Sequence, residues 1–408
     1  MVVEIAEDGT GSQSALRRAN ERHLLDTLRE TGPISQASLA RRAGLSRSAV
    51  NGIIRSLEID GLVQVRPGAT GRETEVTLAG ARGALIAIDL GHRRMHGSVI
   101  SFDDDLRLDE VVDLGREHEA QSDVSTVAAL VDRLLEGSGV GRDAIVRVCV
   151  GLHAPYETPS RTISPSGILP GWEGLDVERV LSERLGMSVE VDNDANFAAL
   201  AEWTWGAGRG ARDFLYVKSS NGIGSGLIIN SQVYRGSTGM AGELGHVVVD
   251  DRGALCNCGN RGCLSAVASG RALLLELAAS GNPRESLQDV IADARAGDLA
   301  CRRLLGEAGR YIGIGLSHAV KLIAPATIAF GGELAAAGAL IFDSVRRELE
   351  SSSLQTISRM PRLEQGMRRG DMCILGCVAS VLASQGHGMS ELPSWMLTPK
   401  GHRVAEYA

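Results

Sequence analysis

Residues 239–265 read GMAGELGHVVVDDRGALCNCGNRGCLS. Within it, His246, Cys256, Cys258 and Cys263 fall inside 18 residues. Three thiols and one imidazole complete the tetrahedral shell of a zinc ion, and the glycines let the chain turn around it. A shell made wholly of protein groups leaves no open position, so this reading gives one structural zinc per chain, not a catalytic one. Three unrelated buried cysteines, or a redox pair, are the competing readings. A local imidazole and a third thiol suit a metal better than thiol exchange.

The other four cysteines (Cys149, Cys301, Cys373, Cys377) sit in apolar surroundings and read as core. Unclustered thiols of this kind fit a reducing compartment. No apolar run reaches the roughly 18 residues that a membrane span needs. The acidic, Gly-rich N-terminus is unlike a signal peptide, so a cytoplasmic protein without a membrane partner is expected. A length of 408 residues implies more than one domain. With aromatics at 3%, packing falls to Leu, Val, Ile and Ala.

The net charge is -8, yet it is unevenly spread. Gly11–Arg82 holds 11 arginines against 7 acidic residues, a net of +4, while everything from Gly83 onward carries -9. One basic segment on an acidic remainder is the charge pattern of a local DNA footprint, or of a solvated face.

The pattern within that basic segment favours DNA. Residues 1–14 read as a disordered tail, and Ala15 to about Thr31 as a helix with Leu24, Leu25 and Leu28 inward. Ser35 caps a short helix, Gly44-Leu45 turns, and Ser46 caps a second helix, the arrangement of a helix-turn-helix. Val50, Ile53, Ile54 and Leu57 recur at i, i+3, i+4 and i+7 as a buried stripe. Arg47, Ser48, Asn51 and Arg55 fall opposite, where Arg pairs with guanine, Asn with adenine, and Ser with phosphate or base. Two strands, from Gly61 and to Leu78, then enclose a Pro-Gly turn as a wing carrying Arg66 and Arg72. The run GPISQASLARRAGLSRSAVNGIIRSLEIDGLVQVRPGATGRETEVTL resembles the winged helix-turn-helix of bacterial regulators.

From Leu85 strands alternate with helices, which argues for an α/β body. Asp89-Leu90-Gly91 closes the first strand. Phe214–Lys218 is a strand, Ser220–Gly226 a Gly-rich turn, and Leu227–Asn230 a further strand. VDNDAN (191–196), NGIGSGL (221–227), GMAGELGHVVVD (239–250) and CNCGNRGCL (256–264) occur in that order. Together they resemble the ROK family of repressors, open reading frames and sugar kinases, over about residues 15–385. The expected fold class is therefore α/β: a winged helix-turn-helix over 15–80, then a two-lobed actin/hexokinase-like body over 81–408. Lobe one would span about 84–195 plus a helix at about 371–387, and lobe two about 196–370.

The resemblance implies roles for particular residues. Asp194 matches the family's general base, Asn193 a sugar contact, and Glu243 a carboxylate that grips sugar hydroxyls. His246 would serve metal and sugar, one ring nitrogen for each. Ser166 and Gly167 match a sugar-side loop. Three departures weaken the kinase reading. His92-Arg93-Arg94 stands where active kinases carry a small residue and Thr, Ser265 replaces a sugar-contacting Glu, and Asn221 replaces Thr. The expectation is a homodimeric or homotetrameric regulator that binds double-stranded operator DNA and responds to a sugar or sugar phosphate, repressing carbohydrate genes. A glucokinase-like, ATP-dependent sugar kinase with an appended DNA-binding domain, using Asp194 catalytically, is the alternative.

Overall fold

The computed structural model describes residues 20–21, 23–25, 27–28, 31–59, 62–67, 74–78, 82–114, 119–164, 169–352, 360–385, 396 and 400–401. Arg72, Ser166, Gly167 and the expected tail lie outside them. The chain divides into two compact units, Met1–Arg82 with Val381–Met389, and Gly83–Ser380 with Ser390–Ala408.

In the first unit the described residues between 20 and 31 are helical, with Leu24, Leu25 and Leu28 buried. Ser35 then caps the helix Gln36–Ala43, its hydroxyl accepting from the Ser38 amide at 3.3 Å. Gly44 ends that helix at φ +65, a conformation that glycine adopts without strain, and its amide returns to Ala40 and Arg41. The Ser46 hydroxyl accepts from Ala49 at 3.2 Å and opens the helix Arg47–Ile59. Val50, Ile53, Ile54 and Leu57 face the core formed with Leu24, Leu39, Val63 and Val76. Each such burial contributes roughly 1.5–3 kcal/mol. β1 (Ile34–Ser35), β2 (Val63–Pro67) and β3 (Thr74–Leu78) form an antiparallel sheet in the order β1-β3-β2, with β2 and β3 as the wing hairpin.

The second unit holds two larger sheets. In the first, β4 (Ala84–Leu90), β5 (Arg94–Ser101) and β6 (Leu106–Asp113) form an antiparallel meander. β7 (Ile145–Leu152) lies parallel to β4; β8 (Tyr156–Glu157) and β9 (Thr162–Ile163) form a small separate hairpin. β10 (Val189–Asn193) lies parallel to β7. β4 and β7 are almost continuously apolar, as strands covered on both faces must be. The helix Ala120–Ser138 buries Val127, Leu130, Val131 and Leu134 against this sheet, and the Trp172 indole donates to Asp123 at 2.9 Å.

In the second sheet, β11 (Phe214–Ser219) pairs antiparallel with β12 (Ile223–Ile229), and β13 (Gln232–Val233) extends β12. On its other side β11 runs parallel to β14 (Thr327–Gly331), which is followed by β15 (Arg362–Gln365). The helices Leu299–Ile323 and Ala339–Ser352 pack with this sheet in one core. β16 (Lys400–Gly401) returns to lie parallel to β6 at the margin of the first sheet. Among the described residues no helix is long and apolar enough to cross a membrane.

The Gly-rich segment departs from the expectation. Only Ser220, Asn221 and Gly222 turn; Gly224 and Gly226 lie inside β12. A Cβ at Gly226 would sit 2.5 Å from the Ala199 methyl and 2.6 Å from the Ala195 carbonyl. These glycines serve close packing of β12 on the helix Asp194–Trp205, not the bending of a loop.

Candidate ligand site, metal cluster and DNA-facing helix

β4 and β7 run parallel and finish side by side, the usual location of a ligand site in an α/β sheet. Asp89 stands near the end of β4, and His153 follows β7. Asp194 opens the helix that follows β10, where the helix dipole favours a carboxylate. His153 Nε2 lies 2.6 Å from Asp89 Oδ1 and 3.3 Å from Asp194 Oδ2. Lys218, from β11 of the second sheet, donates its ammonium to that same Asp194 oxygen. Burial opposes the charge on Asp89, but the neighbouring His153 holds its carboxyl well below the usual range. Burial likewise opposes charge on Lys218, and Asp194 followed by Asp89 outweighs it, holding the ammonium well above its ordinary pKa.

Asn193 precedes Asp194 at the edge of this cluster, and its side chain is engaged by the backbone. Its side-chain oxygen caps the helix by accepting from Ala195 at 2.9 Å, and its nitrogen donates to the Ala154 carbonyl at 3.1 Å. Asp192, one residue earlier, is buried and bound by Arg235 and Asn196, which fixes the strand end. Glu243 precedes the short turn Leu244–His246. Burial, with the charge of Asp194 second, raises its carboxyl to about 7.

His246 joins this region to the thiols. Its Nδ1 faces Cys256 Sγ at 3.6 Å, while Nε2 points toward Glu243 at 3.9 Å. Cys258 and Cys263 place their sulfurs 3.6 Å apart, and all four donor atoms lie within 4.8 Å of one another. Burial lowers the His246 pKa, favouring the neutral imidazole that a metal requires. This cluster can hold a metal ion.

Two of the positions read from the sequence as departures are bound within the protein itself. Gly91 donates its amide to the Arg94 carbonyl at 3.0 Å, closing the turn that carries His92, Arg93 and Arg94. Ser265 turns its hydroxyl to Ile223, accepting from the amide at 3.2 Å and donating to the carbonyl at 3.1 Å. It braces the start of β12.

Arg47, Ser48, Asn51 and Arg55 are all exposed along one side of the helix Arg47–Ile59. Arg41 and Arg42 of the preceding helix are exposed too, on a helix whose sequence pattern marks only its core. The sequence pattern does not mark Lys218 and His153 either. A lysine at the end of an otherwise apolar strand was the available signal.

A winged helix-turn-helix followed by a two-sheet, sugar-kinase-like body defines a DNA-binding transcriptional regulator. Residues 85–383 match the ROK family and residues 19–70 the MarR family; the chain belongs to the ROK family. It is 28% identical over 347 residues to the xylose repressor of Bacillus spizizenii, covering 83% of this chain and 88% of that protein. It is 29% identical over 285 residues to the glucokinase of Streptomyces coelicolor, covering 65% of this chain and 86% of that one. Among solved structures it shares the fold of a ROK family transcriptional regulator described as a homologue of the E. coli MLC protein. That match has TM-score 0.77 and 20% identity, and covers 91% of this chain and 97% of the other. A ROK family glucokinase from Streptomyces griseus, solved with glucose and AMPPNP, matches at TM-score 0.62 and 27% identity over 74% of this chain and all of that one.

Proposed function

We propose that this protein is a sugar-responsive repressor whose body senses an aldose and does not phosphorylate it. The carrying observation is the union, in one chain, of the exposed Arg47, Ser48, Asn51 and Arg55 face with a ROK body that keeps Asp194, beside His153, and a Glu243 that stands before His246. In this reading those four side chains, with Arg72 on the wing, contact operator DNA. Asn193, Asp194, Glu243 and His246 receive the sugar. The xylose repressor relatives put an aldopentose first among candidates. A sugar with higher affinity for the operator-free form shifts the population off DNA. A two-fold dimer would read a pseudo-palindromic operator.

The metal in this reading is zinc, one per chain and structural. A zinc tetrahedron with Zn–S near 2.3 Å and Zn–N near 2.0 Å has edges of about 3.5–3.8 Å. The separations of Cys258 from Cys263, and of Cys256 from His246, are both 3.6 Å. Zinc would brace the loop and fix the His246 ring, leaving Nε2 for the ligand side.

Genome-wide mapping of bound DNA, followed by operator titrations with a sugar panel, tests the proposal. Absence of preference for any duplex sequence at moderate salt would sink it. The kinase alternative draws on the glucokinase relatives and the retained Asp194. Steady ADP release with a sugar, abolished by Asp194→Asn, would put it first.

A further inference from the structure

Asp89, His153 and Asp194 bring two carboxylates and an imidazole within 4.8 Å. Oxygen and nitrogen donors so arranged suit a divalent cation. In phosphoryl transfer such an ion bridges phosphate oxygens and neutralises developing charge. Here the place beside Asp194 is already taken: the Lys218 ammonium bonds Oδ2, the oxygen that His153 also faces.

The fold delivers Lys218 there for identifiable reasons. Along β11, Phe214 and Tyr216 face the core shared with Ala198, Ala199 and Ala201 of the helix that Asp194 opens. Leu215 and Val217 enter the opposite core. Alternation puts Lys218 on the helix side. Its partners across the sheet are Gly224 on β12 and Gly331 on β14, which leaves room for the long side chain to reach Asp194.

We infer that Lys218 is a resident cation that excludes a divalent metal, and with it a metal–nucleotide, from the Asp89–His153–Asp194 cluster. It thereby determines that the site takes an uncharged polyol alone. The inference rests on the sensing role proposed above. An ammonium is a compact charge that a metal must displace before it can meet Asp194. The bulky His92-Arg93-Arg94 turn is a separate obstacle, and it leaves the carboxylates themselves untouched.

The test is titration of Mn2+ into full-length, zinc-loaded protein, followed by electron paramagnetic resonance, for wild type, Lys218→Met and Lys218→Thr. Zinc content and melting temperature establish folding, and either uncharged variant suffices if the other fails. The expected result is about one Mn2+ per chain in the uncharged variant, bound on the order of a hundredfold more tightly than by wild type. Adding Asp89→Asn should abolish the gain. Equal Mn2+ affinity in wild type and a folded uncharged variant would overturn the inference, as would Asp89-dependent Mn2+ binding by wild type. Sugar response and operator binding are measured on the same samples. Their absence in wild type would defeat the sensing role, while the Mn2+ comparison still decides the role of Lys218.

Discussion

Arg107 grips Asp109 with both prongs of its guanidinium, Nε and Nη2 donating to the two carboxylate oxygens at 2.9 and 2.7 Å. Its Nη1 reaches Asp371 Oδ2 at 2.8 Å and the Met396 carbonyl at 2.6 Å. A buried charge network thus ties β6 to the start of the helix Met372–Ser384. Burial opposes ionisation of Asp109, but hydrogen bonds from His96 and then Arg107 hold it down to about 2. Asp371 is lowered in the same way, by Arg369 and Arg107 against its burial. A lowered folded-state pKa contributes stability above the ordinary carboxylate value and loses it as pH falls through the folded value. Stability should therefore drop between about pH 4 and pH 2, with about 2 kcal/mol of the loss due to Asp109. Asp109→Asn should flatten that acid limb and cost roughly 3–5 kcal/mol at neutral pH, because Arg107 stays buried with one partner fewer. Urea melts across the acid range check both.

On the recognition helix, Arg47→Ala and Asn51→Ala should each weaken operator binding by roughly 1–3 kcal/mol if they meet base edges. Competition with random duplex is the control. Equal losses on both DNAs would assign these side chains to phosphate contacts alone.

At the thiol cluster, Cys258→Ser should lower zinc from about one ion per chain and depress the melting temperature, since metal binding and local folding are coupled. Elemental analysis with a thermal melt decides it. Full zinc and unchanged stability would remove Cys258 from the ligand set.

In the proposed sugar site, Asp194→Asn should reduce sugar affinity by roughly tenfold to a hundredfold, the worth of hydrogen bonds to a charged acceptor. Operator affinity without sugar should be unchanged. Calorimetry with the sugar found active in the operator assay measures the first, and gel shift the second.

How far the sequence reveals this depends on the range of each interaction. Ser35, Gly44 and Ser46 act on residues next to them, so the helix-turn-helix was legible from local chemistry alone. The thiol cluster was legible because its donors are close in the chain. The sequence pattern ends the Gly-rich turn too late because Gly226 answers to Ala195 and Ala199, contacts that no local pattern contains. Lys218 and His153 escaped for the same reason. Asp194 stands 24 residues before Lys218, and Asp89 stands 64 before His153. The first pair exists only once the second sheet packs on the helix after β10, and the second only once β4 and β7 lie side by side.

The short strand β16 carries a consequence for handling the protein. It pairs with Leu108 and Asp109, covering that part of the outer border of β6. Trimming the chain upstream of Met396 would strip that cover and remove the carbonyl bound by Arg107. β6 would then present unpaired amides and carbonyls, an invitation to edge-to-edge aggregation between molecules. Shortened versions should consequently lose both stability, through the buried Arg107, and solubility.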